Sequence, residues 1–367
     1  MTAPSPDDAR AALARFAAEG GLVALEPHAT GLINHSWLVS LEWEGGVRRY
    51  LLQQINRHVF RRPEYVLENM LRVTRHVAAR LARGAEADPS RRVLALVPAR
   101  DGRTGHVDAR GETWRLLRWI EGARTSERVA TEAEARETGR AFGEYARQLA
   151  DLGPPALHAT IPGFHDTKAR LEALEAAVAR DAAGRAAACR PEIQALAERR
   201  ALAGALDSSA GAVPLRPVHN DAKVANVLFD ATSGRALAVV DLDTTMPGLV
   251  AHDFGDLVRT TVSDSAEDER DLARVRVRSP VFAALAQGYL SGIGEAISPA
   301  ERVQLVPGAL GIVYEQAIRF LADHLDGDTY YRTSRPGHNL DRARAQLRLL
   351  LSLEADAPEL ERLVKAA

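Results

Sequence analysis

His219-Asn-Asp-Ala-Lys-Val-Ala-Asn226 is the stretch on which the reading of this chain turns. It places a carboxylate at Asp221, an ammonium at Lys223 and an amide at Asn226 within one short loop. An Asp in such a loop can take a proton from a hydroxyl. An Asn offers the kind of oxygen that hard divalent cations prefer, and a Lys two residues beyond the Asp meets anionic oxygens as a point charge. The chain holds three lysines, at 168, 223 and 365, among 47 basic residues. A Lys at this place therefore reads as part of the chemistry rather than as surface charge.

The spacing is that of H-x-D-x-x-x-x-N, the catalytic loop of kinases. Its flanks agree: Pro214 to Val218 and Val227 to Asp230 read as extended runs, followed by a turn at Thr232-Ser233-Gly234 and an apolar run from Ala236 to Val240. That run ends at Asp241, where a kinase places the aspartate that chelates magnesium across nucleotide phosphates. Asp243 is open to three readings: a second metal ligand, a substrate contact or a cap. Asp253-Phe254-Gly255 spells the D-F-G string of protein kinases but follows Pro247-Gly248 and opens a helical stretch. Asp241 is thus the expected metal ligand, and Asp253 is expected to cap that helix or to buttress the catalytic loop.

With 367 residues, 46% of them hydrophobic, the chain can bury a full core and is long enough for two lobes. Its formal charge of -2 gives no reason to expect a nucleic-acid or membrane surface as partner. The start, Met-Thr-Ala-Pro-Ser-Pro-Asp-Asp, lacks the pattern of a secretory signal, and no membrane-length apolar run is expected. Cys189 stands alone, which excludes an internal disulfide. A cytoplasmic location is the expectation; the oligomeric state is left open.

Hydrophobic periodicity predicts a helix over 7–18, strands over 22–29, 35–43 and 47–55, a helix over 63–83, and strands over 92–97 and 112–120. These make a five-stranded, mainly antiparallel N-terminal lobe, residues 1–118. A hinge is expected at 119–122, and a larger, mainly helical lobe over 123–367, with helices near 131–152, 167–182, 190–205, 252–260, 279–291, 299–325 and 339–354. The class is α+β, a bilobal kinase-like fold. Gly31 and Asn34 lie in a loop that either covers nucleotide phosphates with backbone N–H groups or is an ordinary hairpin loop. Glu68, on the 63–83 helix, either tethers a phosphate-binding residue or is a solvated charge. Leu117, Trp119 and Ile120 either cover an adenine or fill strand core. Glu315, Arg319 and Asp323 form a surface charge ladder or a polar wall facing a substrate.

Beyond the loop, stretches across nearly the whole chain resemble the aminoglycoside phosphotransferase-like kinases, and among them the bacterial N-acetylhexosamine 1-kinases. These are Gly31-Leu-Ile-Asn34, Tyr50-Leu-Leu-Gln-Gln-Ile-Asn56, Ile161-Pro-Gly-Phe-His-Asp-Thr167, Val239-Val-Asp-Leu-Asp243 and, towards the C-terminus, Ala317-Ile-Arg-Phe320, Gly327-Asp-Thr-Tyr-Tyr331 and Asn339-Leu-Asp-Arg342. The resemblance implies ATP with Mg2+ and transfer of the γ-phosphoryl group to the anomeric hydroxyl of an N-acetylhexosamine. It implies Asp221 as catalytic base, Asn226 and Asp241 as metal ligands, and Arg319, Tyr330 and His35 as sugar contacts.

One departure stands out. The third strand of most kinases carries a Lys that pairs with phosphates and with a helix Glu, whereas this strand offers Gln53 or Gln54. An amide can hydrogen-bond a phosphate without neutralising its charge. Rival readings are therefore a kinase of another small hydroxyl acceptor, such as homoserine, choline or an aminoglycoside, and a nucleotide-binding pseudokinase.

Overall fold

Trp37, Val39 and Leu41 alternate along one face of a strand, and all three are buried; around them an antiparallel sheet forms. The structure is a computed structural model that describes residues 4–28, 33–84, 88–206 and 213–367. Gly31 lies outside the described residues.

Helix α1 (Pro6–Leu13) precedes strands β1 (Gly21–Pro27), β2 (His35–Trp43) and β3 (Gly46–Gln54). Helix α2 (Pro63–Arg83) follows, then β4 (Leu96–Val97), β5 (His106–Val107) and β6 (Thr113–Arg118). The sheet runs β1-β2-β3-β6-β4, with β5 pairing β6, and every pairing is antiparallel. It has six strands rather than the expected five, because His106–Val107 adds a short pairing to Trp114 and Thr113. The expected 92–97 strand shrinks to two residues, since Pro89–Arg91 form a helical turn before it.

Beyond β6 come β7 (Ala123–Arg124), α3 (Glu132–Leu149), α4 (Thr167–Arg180), α5 (Arg190–Ala197), β8 (Arg216–Val218), β9 (Val227–Asp230), β10 (Ala236–Val239) and β11 (Met246–Gly248). The chain ends in α6 (Val250–Thr261), α7 (Ser279–Ile293), α8 (Pro299–Arg302), α9 (Leu305–Leu325) and α10 (His338–Ala366). The single helix expected over 299–325 is broken at Val303-Gln304. Pro307 explains the break: its ring would meet the carbonyl of residue 303 in a continuous helix. Helix α10 runs past its expected end through Pro358, because Leu360 and Val364 are buried and their packing offsets the lost hydrogen bond.

Two cores result. One lies under the sheet, built from Phe16, Trp37, Val39, Leu52, Trp114 and Leu116. The larger one lies among the helices, and it includes Met70, Val73 and Val77 of α2. Helix α2 thus packs on the helical part as well as bridging back to the sheet. Helix α9 is 21 residues long and apolar enough by length and composition to cross a membrane, contrary to the expectation, but 72% of that stretch is buried inside the protein.

Helices α3 and α7 approach so closely that only glycine fits between them. A Cβ at Gly139 would lie 2.2 Å from the Leu285 carbonyl oxygen, and one at Gly288 2.0 Å from that of Arg136. Gly288→Ala is expected to cost about 1–3 kcal/mol by forcing the helices apart, measured by urea unfolding. Wild-type stability would mean that the two helices slide freely.

Candidate active site

Between β8 and β9 the chain makes the His219–Asn226 loop, and its shape is imposed from behind. The buried Asp253 carboxylate on α6 accepts the backbone N–H groups of His219 (2.8 Å) and Asn220 (2.6 Å). Helix α6 begins at Val250 with Leu249 as its cap, so of its two expected roles Asp253 takes the buttress. The His219 Nδ1 accepts the Asp221 N–H, which leaves Nε2 to donate to the Val240 carbonyl at 2.9 Å. Asn220 sits at φ 63° and donates Nδ2 to the Thr244 carbonyl. Gly248 is required opposite, since a Cβ there would lie 2.6 Å from Asn220 Oδ1.

Asp221 Oδ2 accepts Lys223 Nζ at 2.8 Å and the Asn226 amide at 3.3 Å. Burial pushes the Asp221 carboxyl up, but the Lys223 ammonium, helped by His219 and Arg259, outweighs it and holds the group below the usual carboxylate range. Burial would lower Lys223, yet the charges of Asp221 and Asp241 hold it above its ordinary value. Asp241 follows β10 in the left-handed region at φ 60°. Its carboxylate is open to solvent but set deep among protein groups, where desolvation, then Asp243 and Asp221, push it up to about 6.

Asn226 spends Nδ2 on the Asp221 carbonyl at 2.8 Å, which leaves Oδ1 as the atom it can offer a cation. Among the described residues no group of three His, Cys, Asp or Glu side chains is arranged to hold a metal. One carboxylate and one amide oxygen still suit magnesium, which retains waters and takes its remaining ligands from phosphates.

Towards the sheet, the structure reassigns several expected nucleotide contacts. Asp243, buried, is bound by Arg115 Nη1 and Nη2 and by Asn34 Nδ2 at 2.7 Å, so it is a strut and not a substrate contact. Asn34 is committed to Asp243 and to the Asn56 N–H, which leaves its side chain tying the loop down. Gln53 gives its Oε1 to Arg115 and its Nε2 to Ser36. The exposed Glu68 pairs with His158 at 2.7 Å and tethers nothing on β3. Its buried neighbour Asn69 ties α2 to other segments, donating to the carbonyls of His158 and Thr245. Leu117 and Ile120 belong to the large core, and Trp119 packs edge-on against His28.

On the opposite side of the loop lies a charge chain that joins Glu315 and Arg319 to His165, a residue that the sequence did not single out. His165 points Nε2 at the Asn220 carbonyl (2.9 Å) and Nδ1 at Glu315 (3.1 Å). Both partners accept, so both ring nitrogens donate and His165 is an imidazolium. Burial works against that charge, but Glu315 raises the pKa overall. Glu315 also accepts Thr167 and lies 3.6 Å from Arg319. Desolvation opposes its charge, yet His165 and Arg319 pull it down to about 2.

Arg319 is stacked near the Phe164 and Tyr331 rings. Tyr331 is the inward ring of the pair, while Tyr330 is 69% exposed. Asp323 accepts the N–H groups of Thr329, Tyr330 and Tyr331 and so shapes that loop. The 315 and 323 side chains are buried and that of Arg319 is only 13% exposed, which excludes a surface ladder. His35, half-buried, opens β2 opposite Gln54.

An antiparallel sheet joined to a larger helical part, with an aspartate–lysine–asparagine loop between β8 and β9, defines a protein-kinase-like α+β protein. The Phosphotransferase enzyme family matches residues 24–296, more than half of the chain, and the chain belongs to it. The same fold is found in an aminoglycoside phosphotransferase from Alicyclobacillus acidocaldarius, 14% identical at TM-score 0.62, with 98% of this chain and 96% of that one covered. It is found also in an ethanolamine kinase of Plasmodium vivax (12% identical, TM-score 0.54, 88% and 82% covered). A choline kinase of Cryptosporidium parvum is similar again (13% identical, TM-score 0.53, 92% and 90% covered).

Proposed function

We propose that the protein is an ATP-dependent sugar 1-kinase, acting on the anomeric hydroxyl of an N-acetylhexosamine such as GlcNAc or GalNAc, or of a related sugar. Residues 1–118 would form the nucleotide lobe, 119–122 the hinge and 123–367 the catalytic and acceptor lobe, in a cytoplasmic protein. The observation that carries the reading is the Asp221 carboxylate, held ionised beside Lys223 in a loop braced by Asp253.

Magnesium-ATP, when bound, supplies the phosphoryl group and the cationic charge that offsets its oxygens. Asn226 and Asp241 would hold the cation. Asp221 orients the acceptor hydroxyl and takes its proton, and Lys223 keeps that carboxylate ionised until it does so. Arg319, Tyr330 and His35 would meet the sugar.

Charge and ring placement speak on the acceptor. Asp256 is paired with Arg259, and Glu315 with His165 and Arg319, so these two carboxylates are not free to meet a polycationic aminoglycoside. The faces of Phe164 and Tyr331 are already turned to the Arg319 guanidinium, which leaves them less able to cage a choline ammonium.

A coupled ADP-release screen over hexoses, N-acetylhexosamines, choline, homoserine and aminoglycosides tests the reading. ADP release with an N-acetylhexosamine, and an anomeric phosphate by phosphorus NMR, is the expected result. Release with choline or an aminoglycoside alone would reassign the acceptor. Nucleotide binding with no release from any acceptor would make the protein a pseudokinase.

A further inference from the structure

Ser36, Gln53 and Arg115 form one row across three neighbouring strands, with Gln53 in register with both others. Arg115 is 1% exposed, an unusual setting for a guanidinium unless every donor is used. Every donor is used. Nε and one Nη2 hydrogen go to Gln53 Oε1 (2.9 and 2.8 Å), and the other Nη2 hydrogen goes to Asp243 Oδ2 (3.0 Å). Nη1 reaches Asp243 Oδ1 and, at 3.7 Å, the Met70 sulfur on α2. Five N–H groups make five contacts with four acceptor atoms, so none is left for a phosphate oxygen.

The cation missing from β3 is therefore present one strand away, but its charge is spent on Asp243. That carboxylate lies two residues beyond Asp241, in the turn that holds Asp241 at φ 60°. A bidentate fork fixes its partner in distance and in plane, which a Lys could not do. The cluster also draws in Asn34 and α2, so the sheet, the loop before β2 and the Asp241 turn meet at one guanidinium.

Resting on the kinase reading above, we propose that Arg115 is a positioning residue for the metal: through Asp243 it holds the Asp241 turn in the conformation that presents its carboxylate to magnesium. It works by geometry and not by neutralising phosphate. Loss of such support behind a metal ligand typically weakens metal binding or activity by about 10–100-fold.

The decisive variant is Arg115→Met with Asp243→Asn, which removes the charge pair together and leaves no buried ion alone. Magnesium is titrated by calorimetry into protein saturated with ADP, and ADP binding without metal is measured alongside. The expected result is magnesium affinity lowered about 10–100-fold, with metal-free ADP affinity unchanged and the half-saturating magnesium concentration for turnover raised in step. A folded double variant with wild-type magnesium affinity overturns the positioning role. Should that variant not fold, Arg115→Lys is read in the same way, since it keeps a positive charge opposite Asp243 and loses only the fork. Wild-type protein that takes up no magnesium with ADP overturns the kinase reading and this one together, whereas failure confined to the variants overturns this one alone.

Discussion

Asp221→Asn is expected to lower turnover by about 10²–10⁴-fold, the usual contribution of a positioned proton acceptor, while nucleotide binding stays near wild type. The substitution keeps the shape of the side chain and its place beside Lys223 Nζ and the Asn226 amide. What it removes is the ability to take a proton. The loop conformation does not depend on the Asp221 side chain, because Asp253 holds it through the His219 and Asn220 N–H groups. Steady-state rates with the acceptor found by the ADP-release screen, and ADP affinity by calorimetry, separate the two quantities. Retained turnover would remove Asp221 from the reaction, and a parallel loss of ADP binding would point to a damaged site.

Glu315→Ala is expected to destabilise the fold by about 3–5 kcal/mol, the range for breaking a buried ion pair from one side. The carboxylate is nearly inaccessible, and its removal strands the His165 imidazolium and the Arg319 guanidinium in the interior. Glu315→Gln, which can still bond Thr167, should cost less. The pH dependence has a definite sign. The Glu315 pKa is depressed, so its contribution is complete above its ordinary value near 4.5 and fades as pH falls through about 2. The His165 pKa is raised, so its contribution is complete below about 6.5 and fades as pH rises through the folded value. The stability gap between wild type and Glu315→Gln should therefore be widest between about pH 4.5 and 6.5. Urea unfolding across pH 3–9 measures it, and a gap that does not vary with pH would show the pair to be uncharged.

The parts of the site that are legible in the sequence are those made by neighbours in the chain. His219 to Asn226 is one loop, and its donors and acceptors can be read as a string. The run ending at Asp241 is likewise local. Asp253 could be placed behind the loop but not separated from a helix cap, because both roles ask for a carboxylate at the same position. Arg115 was invisible for a different reason. Inside Thr113-Trp-Arg-Leu-Leu-Arg118 it looks like one polar residue in a strand, and its partners lie at 53 and 243. A charged residue flanked on both sides by bulky apolar ones is the one signal that points to it. His165 was hidden in the same way: its partners are 55 and 150 residues distant in the chain.

Residue order alone determined the elements, the antiparallel sheet followed by helices, and the loop of Asp221, Lys223 and Asn226, since periodicity and short spacing are properties of neighbouring residues. Tertiary structure decided which charges are spent and which are free. Asp243 and Gln53 have the chemistry of ligands, yet Arg115 occupies them. Glu315 and Arg319 have the spacing of a surface ladder, yet Glu315 is buried against His165 and Arg319 is largely covered between two aromatic rings. Desolvation makes an unpaired charge costly, so each buried group takes the partner that the fold brings within reach, and that partner is set by packing between segments far apart in the chain.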